Sequence, residues 1–327
     1  MSDIELTVLV ITYNHARFIE TAIDSVLSQE TEFDYEIIVS EDCSTDGTRE
    51  IVQRIAESRP DRIRLFLSEH NLNDNTVLRR GLEAARGRYV ALLDGDDFWT
   101  SSRKLQKQVD LLEAHPEFSA CFHNVNVIYE GDAAASHLFH QDEQRDAVTS
   151  PRPKPISTLT DIVRRNFIPT CSVVFRAAIG RQLPPWFDDL AAGDWPLHVL
   201  SAQHGDIVYL DEVMGTYRVH PGGSWSMNQS KYSGLADVEE MARSYNVLNQ
   251  HLGFSFEREI SEAVATLFER SAIRFYKRGE QRTARICARR SLGRVRPALW
   301  PKRWRSIAVL ALSRLRPLIP RRQPSAP

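Results

Sequence analysis

Three carboxylates in four residues, Asp94, Asp96 and Asp97, stand directly after an unbroken apolar run over residues 89–93. The run has the length and character of a strand buried on both faces, so the charges arrive where a buried strand ends. Charge packed this densely is stable in solvent or against a cation, and Gly95 lets the chain turn so that two of the acids can face one point. Oxygen ligands with open positions suit Mg2+ or Mn2+, and an ion held by Asp96 and Asp94 can bridge to phosphate oxygens that the acids alone would repel. The plainer reading is an acidic turn with a helix cap, for which Asp is equally suited.

Two more polar clusters fall in the same kind of place. Thr12-Tyr13-Asn14 closes an apolar run at 6–12, and Glu41-Asp42-Cys43-Ser44-Thr45-Asp46-Gly47-Thr48 follows a second at 35–40. Tyr13 offers an aromatic face on which a base can stack, and Asp42 a carboxylate that can accept from a base N–H. Between the clusters, Phe18, Ile19, Ala22, Ile23, Val26 and Leu27 keep helical spacing, residues 51–55 and 77–85 predict two more helices, and 63–67 a third strand. This alternation predicts a mostly parallel, doubly wound α/β sheet flanked by helices. Ligands of such sheets bind beyond the carboxyl ends of the strands, where the strand order switches, so the three clusters should meet in one crevice. The turn after the first strand carries neither GxGxxG nor GxxxxGK[ST], which argues against a dinucleotide fold or a P-loop kinase.

Taken in order, Thr12-Tyr13-Asn14, Glu41 through Thr48 and Asp94-Gly95-Asp96-Asp97 resemble the family 2 glycosyltransferases, inverting GT-A-fold enzymes that use nucleotide-activated sugars. The motifs lie within residues 5–130. The family pattern usually has two aspartates where this chain has Glu41-Asp42, which leaves Asp42 for the base contact. The resemblance implies a GT-A-like sheet, a nucleotide-sugar donor with uridine as the default base, donor contacts from Thr12, Tyr13, Asn14 and Asp42, and a saccharide or lipid-linked acceptor. A nucleotidylyltransferase shares the sheet, but its Gly-rich loop after the first strand is missing. A catalytically silent nucleotide-binding or scaffold protein that kept the fold is the alternative of another class. The donor sugar, the acceptor and the oligomeric state are not legible.

Farther along, residues 120–129 predict a strand in which His123 and Asn124 either border the acceptor or are structural. Residues 131–157, polar and carrying Asp142, Glu143 and Asp146, predict a loop, and 170–176 a return to strand. Asp194-Trp195-Pro196 opens a helix, where Asp suits an N-cap. It also looks like the family's Gly-Asp motif, which implies that Asp194 is the catalytic base. Likewise Tyr217-Arg218-Val219-His220-Pro221-Gly222-Gly223-Ser224-Trp225-Ser226 resembles the segment that closes over the donor diphosphate. That implies Arg218 on the phosphate and His220 as a third metal ligand beside Asp96 and Asp94; the plainer reading is a surface loop.

The chain of 327 residues is 42% apolar and has a net charge of −2, which hides an asymmetry. Residues 271–327 hold 16 Lys or Arg against Glu280 alone, about +15, whereas the remainder holds 25 against 42 acids, about −17. Residues 238–290 are patterned as helix, and beyond Arg294 cationic residues interleave with Leu299, Trp300, Trp304 and a short apolar run at 307–312. Such a run is too short to span a bilayer, which takes about 20 residues, and fits an interfacial helix on an anionic membrane. A solvated tail, a dimer contact and nucleic-acid binding compete, the last not expected. The organisation predicted is a GT-A-like domain at 1–230, a helical extension at 231–293 and a basic tail at 294–327. Scattered cysteines and an amino terminus without a long apolar stretch predict a cytoplasmic protein, peripheral at the inner face of a membrane.

Overall fold

The computed structural model describes residues 4–141, 150–223, 234–295 and 297–315. It forms two compact units, residues 1–229 and 230–327. In the first, β1 (Leu6–Thr12), α1 (Ile19–Leu27), β2 (Tyr35–Glu41), α2 (Thr48–Ser58), β3 (Ile63–Leu67), α3 (Thr76–Ala84) and β4 (Tyr89–Asp94) alternate as the apolar runs predict. The chain continues through β5 (Phe98–Trp99), α4 (Lys104–Ala114), β6 (Phe118–Tyr129), β7 (Asp132–Leu138), β8 (Ile156–Ser157), α5 (Leu159–Arg164), β9 (Val174–Arg176), α6 (Asp194–Ala202) and β10 (Asp206–Val219).

One sheet runs in the order β3-β2-β1-β4-β9-β6-β10-β5, with β7 on β6 and β8 on β10. Its first half, β3-β2-β1-β4, is parallel. Beyond β4 it is mixed: β9 is antiparallel to both neighbours, and β6 and β10 pair in parallel. Every residue of β2, and all but one in β1 and β4, is buried, because helices cover both faces. Val8, Val10, Ile37, Val39, Ala91 and Leu93 pack against Ile19, Ile23 and Val26 of α1 and Leu105, Val109 and Leu112 of α4. Burying such a side chain fully contributes about 1.5–3 kcal/mol, which lets the framework hold charged loops at its edge. Because β2 and β4 flank β1 on opposite sides, the strand order switches there, and the loops after β1 and β4 lie next to each other.

Three local expectations change. The stretch at 131–157 contains β7 and β8, and 142–149, with Asp142, Glu143 and Asp146, lies outside the described residues. A 3-10 turn at Thr170–Ser172 precedes β9, so the strand is shorter than the expected 170–176. β10 is a 14-residue strand whose register shifts past Leu210, as at a bulge, with Asp211 and Glu212 exposed there. The second unit is helical: α7 (Leu235–His251), α8 (Glu257–Lys277), α9 (Gln281–Gly293) and α10 (Trp304–Leu315), with α8 packing against the other three.

Candidate active site

At the end of β4 the chain turns sharply. Gly95 N–H donates to the Ile11 carbonyl at 2.8 Å, drawing the turn against β1. A Cβ at Gly95 would stand 2.6 Å from Thr12 Oγ1 and 2.9 Å from His15 Nδ1, so only glycine permits the approach. Asp96 is thereby brought to two imidazoles. His220 Nε2 lies 3.0 Å from Asp96 Oδ2, and His15 Nε2 lies 3.7 Å from the same oxygen. One ligand atom from each residue falls within 4.8 Å of the others. Thr12 Oγ1, 3.2 Å from His15 Nδ1, orients that ring from behind, as an outer-shell partner does for a metal-binding histidine.

The charges are balanced within this corner. Burial alone would raise the Asp96 carboxyl, but the hydrogen bond from His220 and the fields of His15 and His220 outweigh it and hold it below the ordinary range. Burial lowers His15 despite the opposing pull of Asp96. Asp97 is turned inward: its Oδ1 accepts the Arg218 backbone N–H at 2.8 Å, and burial, then Asp96 and Asp94, push its carboxyl well up. Arg218 Nε donates to the Asp96 carbonyl at 2.9 Å, and its guanidinium lies 4.6 Å from the Phe18 ring centroid and 5.3 Å from that of Phe98. It braces the turn that carries Asp96.

Asp94 is not in the group of three. Burial, then Asp96 and Asp194, push its carboxyl up to about 8, opposed by a hydrogen bond to Thr170. It therefore relates the cation corner to Asp194, the first residue of α6. Gly193, not Asp194, is the N-cap, and no side chain caps the helix. The Asp194 carboxylate instead accepts from Asn166 Nδ2 at 2.7 Å. One turn on, His198 is buried with neither ring nitrogen hydrogen-bonded among the described residues, and burial, against the pull of Asp194, lowers it to about 4.

The remaining candidates sit on loops sewn to one another. Asn14, in the left-handed region at φ 55°, donates its N–H to Ser44 Oγ and accepts the Thr45 N–H on its side-chain oxygen, each within 2.9 Å. His15 N–H donates to Thr48 Oγ1, and Ala16 N–H to Asp46. Buried Glu41 accepts from Ser44 N–H and Arg49, so it is a structural anchor. Asp42 accepts the N–H groups of Leu72 and Asn73 at 3.0 and 3.3 Å, which ties the segment after β3 to the crevice. Tyr13, at 39% exposure, keeps its ring open. His123 is fully buried, donates from Nδ1 to the Asn124 carbonyl, and is lowered to about 3 by burial and then by Lys104, in keeping with a structural role. Ser224, Trp225 and Ser226 lie outside the described residues.

Sequence reasoning gives His15 no role. The available signal is position: an imidazole in the loop after β1, on the strand next to β4.

The model of the family described as glycosyl transferase family 2 matches residues 7–181. An uncharacterized protein of Mycobacterium tuberculosis is 39% identical over 224 residues, 67% of this chain and 60% of that protein, so the match spans less than two thirds of the relative. An Escherichia coli protein named UDP-Glc:alpha-D-GlcNAc-diphosphoundecaprenol beta-1,3-glucosyltransferase WfaP is 25% identical, over 75% of this chain and 88% of its own. Among solved structures, Staphylococcus aureus TarS 1–349 in complex with UDP-GlcNAc aligns with a TM-score of 0.53 at 18% identity, covering 95% of this chain and 90% of that one. Mannosyltransferase PcManGT from Pyrobaculum calidifontis, in complex with GDP-Man and Mn2+, aligns at 0.54 and 18% identity, covering 98% and 91%. At these identities the structural likeness speaks to the fold.

Proposed function

The chain belongs to glycosyl transferase family 2, and we propose that it transfers a sugar, with inversion, from a nucleoside-diphospho-sugar to an acceptor hydroxyl in the assembly of a cell-surface polysaccharide or glycolipid. The observation that carries this reading is the meeting of His15, Asp96 and His220 at the switch point of the sheet. A carboxylate flanked by two imidazoles fits a divalent cation, and the two nitrogens favour Mn2+ over Mg2+, which prefers oxygen ligands throughout. When bound there, the ion supplies charge neutralisation for the departing diphosphate.

The chain's own groups do the rest. Asp194, poised by Asn166, accepts the proton of the acceptor hydroxyl as that oxygen forms its bond to the sugar carbon. Arg218, braced between Phe18 and Phe98, sets the Asp96 turn and adds positive charge on the leaving-group side. Asp94, whose carboxyl feels both Asp96 and Asp194, would be drawn back to its ionised form by a cation on Asp96, and serves there as a further ligand or as an acceptor for a sugar hydroxyl. Tyr13 stacks on the base, for which uracil is favoured by the UDP-Glc in the name of WfaP. Thr12 and Asn14 act by holding His15 and the loop after β2, and Asp42 borders the base. A lipid-linked acceptor is supported by the diphosphoundecaprenol in the name of the Escherichia coli relative. No helix among the described residues is long and apolar enough to cross a membrane. The basic carboxyl-terminal segment would bring the enzyme to an anionic bilayer, and four free cysteines fit its cytoplasmic side.

Release of nucleoside diphosphate from UDP-, GDP- and dTDP-sugars, with Mn2+, Mg2+ or chelator, tests the reading without knowledge of the acceptor. Metal-dependent release from one donor, lost in Asp96→Asn, is expected. Absence of both release and metal-dependent binding for every donor would favour a catalytically silent scaffold instead.

A further inference from the structure

Helix α10 is turned inside out for a surface helix. Among its described side chains the buried ones are Ser306, Val309 and Ser313, two of them hydroxyls, with Leu310 half-buried on the same face. Ser306 donates to Glu269 of α8 from both its N–H and its Oγ, at 3.3 and 3.4 Å. Just before the helix, Arg303 donates to Thr266 Oγ1, the Glu262 carbonyl and Glu269. The inner face is thus mixed: Val309 and Leu310 are its apolar residues, and Ser306 adds the polar link to α8.

The outer face carries Trp304, Ile307, Ala308, Ala311 and Leu312, the i, i+3, i+4, i+7, i+8 spacing that normally marks the side turned to a core. Here Trp304 is 62% exposed, Leu312 47% and Ile307 41%, and Trp300 in the preceding turn adds 42%. Lone exposed apolar residues are ordinary, but a whole helical stripe in solvent is not. Along the sequence, its charges have one sign. From 281 to 327 the chain has 13 Lys or Arg and no Asp or Glu, and the Arg305 guanidinium lies 5.6 Å from the Trp304 ring centroid at the edge of the stripe.

We propose that this face of α10 lies in the interface of an anionic lipid bilayer, with Trp300, Trp304, Ile307 and Leu312 inserted at the level of the headgroups and Lys302 and Arg305 on lipid phosphates. The proposal rests on the membrane reading given above and specifies which surface makes the contact. A Trp-bearing apolar stripe rimmed by cations matches a negatively charged lipid surface in both polarity and charge. A second copy of the chain would bring the same cations against each other.

The test is flotation of the full chain with phosphatidylcholine vesicles, with and without phosphatidylglycerol, comparing wild type, a Trp304→Ser/Ile307→Ser/Leu312→Ser variant and a Lys302→Gln/Arg305→Gln variant. Circular dichroism checks the fold, and the substituted side chains face outward. Wild type should float with the anionic vesicles, the serine variant should lose about tenfold or more in partition, and the charge variant should bind more weakly with a shallower salt dependence. Wild-type-like flotation of the serine variant would overturn the assignment of this face and leave the membrane reading standing. No flotation of wild type would overturn both. A wild-type dimer that the serine variant converts to monomer, without vesicle binding, would put a second copy on the stripe. Binding that appears only after removal of residues 316–327 would put the chain's own terminus there.

Discussion

Asp96 and Asp194 are both aspartates at the ends of loops, yet their surroundings differ in a way that suits the opposite tasks proposed for them. Asp96 sits between imidazoles that hold it ionised, as a cation ligand must be. Asp194 lies outside the group of three, and the Asn166 amide fixes its carboxylate at the start of α6. Asp96→Asn and Asp194→Asn should each lower turnover by about a hundredfold or more with little change in melting temperature. Near-wild-type turnover in either, in the donor-release and acceptor assays, would remove that residue from its role. Lys104 makes a different argument. It is fully buried, with Nζ 3.9 Å from the Trp99 ring centroid and no hydrogen-bond partner among the described residues, and burial lowers it to about 7 from 10.5. Between those values the folded chain binds fewer protons than the unfolded one, so stability rises with pH; the cost of burial is complete below pH 7 and gone above 10.5. Lys104→Met should therefore be more stable than wild type at pH 6, by on the order of 2 kcal/mol after the cation–π contact is offset, and the gap should close towards pH 10. Denaturant unfolding at the two pH values measures it, and a gap that widens with pH would reverse the assignment.

The elements decide how closely those residues can meet. Between β4 and β5 a single glycine brings the turn against β1, and the contacts it permits are to Thr12 and His15, members of the site itself. In Gly95→Ala the new methyl would force the turn away from β1. The expected result is a loss of about 1–3 kcal/mol of stability together with weakened Mn2+ dependence of donor release, since His15 and Asp96 would separate. A variant that melts lower but keeps the wild-type Mn2+ response would show that the close approach serves packing alone. The same elements show where sequence reading succeeds. β1, β2 and β4 are legible because strands buried on both faces become unbroken apolar runs. β10 is not, because Asp211 and Glu212 interrupt it at a register shift on the exposed side, and a local window sees a turn there. β7 and the two-residue β8 are alike hidden: they are strands by virtue of their partners β6 and β10 and not of their own composition.

Across the whole molecule, the acidic cluster and the polar segment that carries Arg218 and His220 stand out in the sequence, whereas the contacts that join them do not. His15, Asp96 and His220 come from three distant points in the chain, and a lone imidazole in a polar turn carries no mark of what the fold will place beside it. Charge segregation, by contrast, survives from sequence to structure, because it is a property of long segments and not of contacts. The described ion pairs absorb only part of it: Arg290 meets Glu239, and Arg303 meets Glu269, while α9 and α10 contain no acid at all. A molecule with a net charge of −2 would be expected to bind an anion exchanger weakly and to pass a cation exchanger. Resins respond, however, to local patches of charge as well as to the net charge, and the excess of cations lies within one segment of the chain. At pH 7.5 and low salt the full chain should therefore be retained on both sulfonate and quaternary-amine resins. Lys302→Gln/Arg305→Gln should elute from the sulfonate column at lower salt and leave the other elution position unchanged. Passage of wild type straight through the sulfonate column would mean that the cations are neutralised within the fold, and the electrostatic part of the membrane argument would fall with it.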